Sequence, residues 1–103
     1  MIKYRSLEVL LQQLTSPLDA GQVAIAGAWR NDEQALGLVK PDAPGLAAYV
    51  FTHGQSPGRY GVHLDYPATE ALPGTVFLAN EDLGLNALFD LLVTHFDLHE
   101  INT

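Results

Sequence analysis

Apolar residues recur with helical spacing near the start of the chain. The spacing is three to four residues, and the positions are Leu7, Leu10, Leu11 and Leu14. Ser6 is a suitable N-cap and Pro17 a suitable end signal, so we predict a first helix over roughly Leu7 to Thr15.

A second stripe of this kind lies near the other end of the chain. Its members are Leu85, Leu88, Phe89, Leu92 and Phe96. Asn80, Glu81 and Asp82 precede it, and their side chains suit the positive end of a helix dipole. We predict a second helix that runs to about Phe96, with its five apolar side chains buried.

Between the two helical segments the apolar period changes to two, which is the period of a β-strand. Five strands are predicted: Gln22 to Trp29, Ala35 to Val39, Leu46 to His53, Arg59 to Tyr66, and Gly74 to Ala79. A turn at residues 31–33 separates the first two. Residues 41–45, which contain two prolines and a glycine, predict a rigid connection before the third.

The residues Gly54-Gln55-Ser56-Pro57-Gly58 predict a hairpin loop. With that loop the predicted cross-strand pairs are Ala47 with Asp65, Tyr49 with His63, Phe51 with Gly61, and His53 with Arg59. Alternation then directs a mainly apolar set toward the core, namely Ala48, Val50, Thr52, Tyr60, Val62, Leu64 and Tyr66.

The fold class that follows is α+β. We expect one domain over residues 1–103, with an approximately five-stranded, mainly antiparallel sheet flanked by an N-terminal and a C-terminal helix. A content of 48% hydrophobic and 17% charged residues is too apolar for a disordered chain. Sheet edges that could pair with a second copy would allow a homodimer.

The composition narrows the expected location and chemistry. Cysteine is absent, which excludes a disulfide framework, a thiol nucleophile and a thiolate metal site. Lys3 and Arg5 before the first leucines resemble the start of a signal peptide, but Glu8 interrupts the apolar run and no small-residue cleavage site follows. We therefore expect a cytoplasmic protein.

The charges are unevenly distributed along the chain. All five basic residues occur by position 59, together with five of the twelve acidic ones. The remaining seven acids give the net charge of −7, and they are Asp65, Glu70, Glu81, Asp82, Asp90, Asp97 and Glu100. This surface repels phosphate backbones and anionic lipid, so we expect no nucleic-acid or membrane partner and an attraction to basic proteins. The alternative is that the charge serves solubility alone.

The hairpin face opposite the predicted core carries the candidate binding residues. Aromatic and polar groups alternate there: Tyr49, Phe51, His53, Arg59, His63 and Asp65. Such a face suits a ligand or a protein partner, and it also suits ordinary cross-strand stabilisation. Trp29 either covers an edge of the core or joins Tyr49 and Phe51 in an interface. We also expect Asp90 and Asp97 to be acidic contacts of a basic partner.

Catalytic and metal sites have weaker support. His63 and Asp65 lie two apart on one strand and could form an acid-base pair, but no serine occupies a nucleophile elbow. His95 and His99 have the spacing of a helical metal pair, and they equally suit the negative end of a helix dipole. Phosphate-binding loops are absent. We expect no enzyme activity, no metal and no cofactor.

In size, acidity and element order the chain is similar to small bacterial immunity proteins, which neutralise a partner toxin. The likeness rests on no shared motif. It implies a non-enzymatic domain that binds a basic partner, of the immunity or antitoxin kind. The alternative is a small-molecule-binding or regulatory domain that uses the face of Tyr49, Phe51 and His63.

Overall fold

The observed elements follow the predicted order of helix, antiparallel sheet and helix. The computed structural model of the chain describes residues 5–27, 32–66 and 76–98. The elements are α1 Arg5–Gln13, α2 Thr15–Asp19, β1 Ala24–Ile25, β2 Ala35–Lys40, β3 Ala43–Phe51, β4 Tyr60–Tyr66, β5 Val76–Leu83 and α3 Leu85–Phe96.

Each strand pairs antiparallel with its neighbour in sequence, in the order β1-β2-β3-β4-β5. The hairpin of β3 and β4 has the predicted register over its inner pairs, Ala47 with Asp65, Tyr49 with His63, and Phe51 with Gly61. The predicted α+β class is therefore confirmed, with one compact domain and one five-stranded sheet.

The core lies between the sheet and the two longer helices. Leu7, Leu10 and Leu14 from the first helical segment and Leu88, Leu92 and Phe96 from α3 are fully buried. They pack with strand residues of the predicted inward set, including Ala48, Val50, Tyr60, Val62 and Leu64. Leu85 and Phe89, also predicted to be buried, are half-buried at the margin of this core. Among the described helices, none combines the length and apolarity needed to cross a bilayer.

The N-terminal helix differs from its prediction at both ends. Ser6 lies inside α1 rather than at its N-cap. Pro17 does not end the helical segment, because it is the third residue of α2. The first residues of a helix have no intrahelical partner for their N–H groups, so proline is tolerated there.

The predicted first strand is only partly formed among the described residues. Of its residues 22–27, which the structure describes, only Ala24–Ile25 form a strand, and Gly27 is exposed. Residues 28 and 29 of the predicted strand lie outside the described residues. The connection after β2 is shorter than predicted, since β3 already begins at Ala43. Its register shifts where Lys40 pairs with Ala43 and Val39 with Ala47. Residues 44–46 therefore form a bulge. A bulge can accommodate Pro44, because a backbone N–H is not required there for a hydrogen bond to the neighbouring strand.

The predicted pairing of His53 with Arg59 is wrong, because the β3 and β4 ladder ends at Phe51 and Gly61. The loop does turn at the predicted glycines. Gly54 and Gly58 have φ values of 74° and 77°, which side chains disfavour.

The assignment of the acidic segment to the start of the last helix is also wrong. Asn80, Glu81 and Asp82 belong to β5, where Asn80 pairs with Val62. The helix begins after Gly84, whose carbonyl accepts the Leu88 N–H at 3.0 Å. At its other end, Asp97 adopts the left-handed conformation and the Lys40 ammonium donates to the Phe96 carbonyl at 2.7 Å. These contacts satisfy carbonyls that the helix end leaves without a partner.

Candidate functional site

The described helices lie on one face of the sheet. Val50 and Val62 pair across β3 and β4 and share the core with α1 and α3, so we call their side the inner face. The adjacent pair Tyr49 and His63 points to the opposite side, the outer face, because side chains alternate along a strand. The same alternation gives Phe51 and Asp65 to the outer face.

Four rings on and beside this face are in mutual contact, and we call Tyr49, Phe51, His53 and His63 the aromatic cluster. Phe51 stacks between Tyr49 and His53, with ring centroids 5.2 and 4.7 Å away and planes within 28°. His63 meets Tyr49 and Phe51 edge-on, at 5.8 and 5.3 Å. These are favourable geometries for aromatic pairs, so the rings form a packed platform on β3 and β4.

The platform depends on the absence of a side chain at Gly61. The Phe51 ring lies over this glycine, and a Cβ there would collide with the ring atoms Cζ and Cε2. Phe51 is consequently only 5% exposed, although it belongs to the outer face. The cross-strand pairing of Phe51 with Gly61 therefore determines how closely the cluster packs on the sheet.

A hydrogen bond joins two members of the cluster. The Tyr49 hydroxyl and His53 Nε2 are 3.0 Å apart, and the imidazole tautomer decides which one donates. Burial raises the pKa of the Tyr49 hydroxyl above its ordinary value of 10.0, and the carboxylate of Asp32 adds to the rise. The phenol is thus neutral at physiological pH and lies within the electrostatic reach of Asp32.

The hairpin loop is held against the end of β5 by Gln55. Its amide Nε2 donates to Glu81 Oε1 at 3.2 Å, and its Oε1 accepts the Asp82 N–H at 2.8 Å. Arg59 Nε lies 3.8 Å from Asp82 Oδ1, with both side chains more than half exposed. Exposed pairs of this kind contribute little to stability, but they offset charge locally. Glu81 and Asp82 stand opposite Gly61 in the β4 and β5 ladder, so acidic groups border the aromatic cluster.

The sequence-predicted binding residues fall on several surfaces. The structure brings together Tyr49, Phe51, His53 and His63, with the half-buried Asp65 farther along the outer face. Arg59 is exposed at the loop end beside Asp82. Asp90 is exposed on α3 and Asp97 is exposed just after it, on the helix side of the molecule. Trp29 lies outside the described residues.

His95 has a structural environment that its spacing from His99 did not indicate. Its ring is 8% exposed and packs edge-on against Tyr66, with centroids 4.8 Å apart. Nε2 lies 2.8 Å from the Ala47 carbonyl, which can only accept, so Nε2 carries the proton. Nδ1 is buried and has no hydrogen-bond partner among the described residues. This histidine ties α3 to β3, while His99 lies outside the described residues.

In the part of the chain that the structure describes, no three potential ligands are close enough together to hold a metal ion. His63 and Asp65 do share the outer face, two residues apart on β4, as predicted.

Sequence reasoning missed the role of Gln55 altogether, since nothing in a loop sequence indicates which amide will bind a distant strand. The electrostatic effect of Asp32 on the pKa of Tyr49 was also missed, because it depends on how the turn before β2 lies relative to β3.

Comparison of the chain with models of protein families, with curated proteins and with solved structures finds no match.

Proposed function

We propose that this chain is a non-enzymatic, cytoplasmic protein-binding domain, and that the outer face of its sheet holds a partner with a basic surface. The observation that carries the proposal is the aromatic cluster on the side opposite α1 and α3. Among the described residues, the helices cover the inner face of the sheet, whereas one tyrosine, one phenylalanine and two histidines are grouped on the outer face. Aromatic groups of this kind are enriched where proteins make contact.

The packing of the cluster favours a protein over a small molecule. Ring centroids 4.7 to 5.8 Å apart are in direct contact, so Tyr49, Phe51, His53 and His63 fill the space between one another. Small-molecule sites are usually concave and surround most of the ligand. A packed platform on a sheet instead matches the broad, shallow contact that protein partners make.

Charge supports a basic partner. The net charge is −7, and no Lys or Arg follows Arg59. Asp65 on the outer face and Glu81 beside it put negative groups near the cluster, while Arg59 offsets the charge of Asp82. Long-range attraction would speed the approach of a positively charged protein, and the rate would fall as salt is added. More specifically, we propose that the chain is an inhibitor of the immunity or antitoxin kind, which neutralises a basic partner.

The test is capture of the partner from the native organism by the full chain, followed by mass spectrometry. The outer-face variant replaces His63 and Asp65 with Ala, and the matched control replaces Glu8 and Gln12, which are exposed on α1 on the helix side. Both variants lose one acidic and one polar side chain, and circular dichroism first establishes that both are folded.

The proposal expects one basic protein captured by the wild type and the helix-side variant at low salt, and lost in the outer-face variant. Equal capture by both variants would move the contact away from the outer face and contradict the proposal. Failure to capture any protein at low salt would count against protein binding. A small molecule that remains bound in native mass spectrometry, and is lost in the outer-face variant, would replace this function with the small-molecule alternative.

A further inference from the structure

His95 is a titratable residue buried where the end of α3 meets the sheet. Its ring is 8% exposed. Nε2 donates to the Ala47 carbonyl of β3 at 2.8 Å, and Tyr66 of β4 lies edge-on to the ring, with centroids 4.8 Å apart. We call the contact of His95 with Ala47 and Tyr66 the end contact of α3, because it holds the last turn of that helix against two strands.

The other ring nitrogen of His95 lacks a partner. Nδ1 is buried and has no hydrogen bond within the part of the chain that the structure describes. When Nε2 carries the single proton, Nδ1 is an unused acceptor, whereas an imidazolium carries a proton on both nitrogens. A second proton would therefore create a buried, charged N–H without an acceptor. Burial of an unpaired charge is far more costly than burial of an unpaired acceptor.

Among the described residues, the groups that face His95 offer no partner for a second proton. From β2, the Lys40 ammonium donates to the carbonyl of the adjacent Phe96 at 2.7 Å, so a like charge already binds the negative end of the helix dipole. From β3, the facing main-chain carbonyl is occupied by Nε2. A ring face attracts a cation, but neither the Tyr66 nor the Phe96 ring gives Nδ1 an acceptor. Asp97 follows on the chain and is exposed, and its carboxylate makes no bond with Nδ1.

We propose that the end contact of α3 is an acid-sensitive latch, in which a second proton on His95 detaches the last turn of the helix from β3 and β4. The charged ring regains hydration only by leaving its buried position. Phe96, the next residue, is fully buried in the core, so displacement of this turn also opens the packing between α3 and the sheet. Histidine ordinarily changes its charge between about pH 5 and pH 8, so mild acidification supplies the trigger.

The experiment follows the full-length, isotope-labelled chain by NMR from about pH 8 to about pH 5. The carbon-bound ring protons of His95 report its protonation. Two backbone amides report the helix: Leu98 N–H donates to the Val93 carbonyl at the end of α3, and Leu88 N–H donates to the Gly84 carbonyl at its beginning, both at 3.0 Å. As His95 gains its second proton, we expect the hydrogen-exchange protection factor of Leu98 to fall about tenfold, and that of Leu88 to change by less than about twofold.

Two matched variants identify the group that takes up the proton. His95→Gln keeps an amide N–H for the Ala47 carbonyl but gains no charge in this range, so Leu98 should keep its protection at the acidic end of the titration. His53→Gln makes the same change at an exposed histidine, and its loss of Leu98 protection should match that of the wild type. Circular dichroism at the alkaline end establishes that both variants are folded. If His95→Gln is not folded, the coincidence of the ring and amide changes in the wild type decides the question.

Protonation of His95 with no change at Leu98 would overturn the latch, because the imidazolium would then be tolerated in the end contact. The same loss of protection in His95→Gln would overturn it too, since another group would be the trigger. A His95 ring that takes up no second proton until Leu88 and Leu98 lose protection together would show unfolding of the whole chain, and it would also overturn the release of the helix end. The end contact lies on the helix side, so none of these results bears on the proposed function of the outer face.

Discussion

The Tyr60 hydroxyl donates a hydrogen bond to the main-chain carbonyl of Ser6 across 2.7 Å. This bond joins the beginning of β4 to the first turn of α1, although the residues are 54 positions apart. Tyr60 is only 3% exposed, so its phenol has little access to water. Replacing Tyr60 with Phe should lower the free energy of unfolding by about 1 kcal/mol, the usual net contribution of such a bond. Urea denaturation at pH 7 measures this change, and Tyr49→Phe serves as a control that leaves the contact with α1 intact.

The same tyrosine predicts how stability changes in alkali. Burial raises the pKa of Tyr60 in the folded chain above its ordinary value of 10.0. The folded state therefore holds a proton that the unfolded state releases, and this contribution is complete below about pH 10 and lost as the pH rises through the folded-state pKa. Tyr60→Phe should lose less stability than the wild type between pH 9 and pH 11. Part of the slope should remain, since the pKa of Tyr49 is raised as well. Identical slopes in both proteins would contradict the prediction.

Gly61→Ala should disturb the aromatic cluster, because the added Cβ occupies the space of the Phe51 ring. We expect a loss of about 1 to 3 kcal/mol, which is typical of overpacking, and altered ring signals of His63. Gly27→Ala is the matched control, since a Cβ there meets nothing within 4 Å, and its effect should stay within about 0.5 kcal/mol. A further change of Phe51 to Leu should recover part of the loss in Gly61→Ala.

His95 should exist as a single tautomer with the proton on Nε2, because that nitrogen faces the Ala47 carbonyl at 2.8 Å. Two-bond proton-nitrogen NMR spectra distinguish the tautomers directly. We expect Nε2 of His95 to give the shift of a protonated nitrogen. An unprotonated Nε2 would show that the contact with the Ala47 carbonyl is not the one observed. The exposed His53 provides the comparison in the same spectrum.

The sequence predicted the parts of this fold that depend on alternation and on local turns. The pairing of Tyr49 with His63 followed from the five-residue loop, and the buried positions of α3 followed from its helical spacing. The predictions were wrong where pairing between strands overrode the local structural preference of the residues. Asn80, Glu81 and Asp82 look like a helix start, but pairing with β4 extends β5 through them, and Asp82 adopts a φ of 57° in the resulting bulge.

The candidate site was only partly predictable for the same reason. Strand alternation alone places Tyr49, Phe51 and His63 on one face. It could not assign Asp90 and Asp97 to a surface relative to that face, because their position depends on which side of the sheet α3 covers. The contacts of Gln55 with Glu81 and Asp82 link a loop to a strand more than 25 residues away. No local pattern encodes a contact of that separation.

The order β1-β2-β3-β4-β5 also has a kinetic consequence. Every strand pairs with its neighbour in sequence, so the hairpins close short loops and can form early. The helices α1 and α3 contact each other from opposite ends of the chain, and that contact requires the longest loop closure. We therefore expect Leu10→Ala in α1 mainly to accelerate unfolding, while Val62→Ala in the central hairpin slows folding. Stopped-flow measurements of both rates test this order, and a slowed folding rate in Leu10→Ala would indicate that the chain ends meet before the sheet is complete.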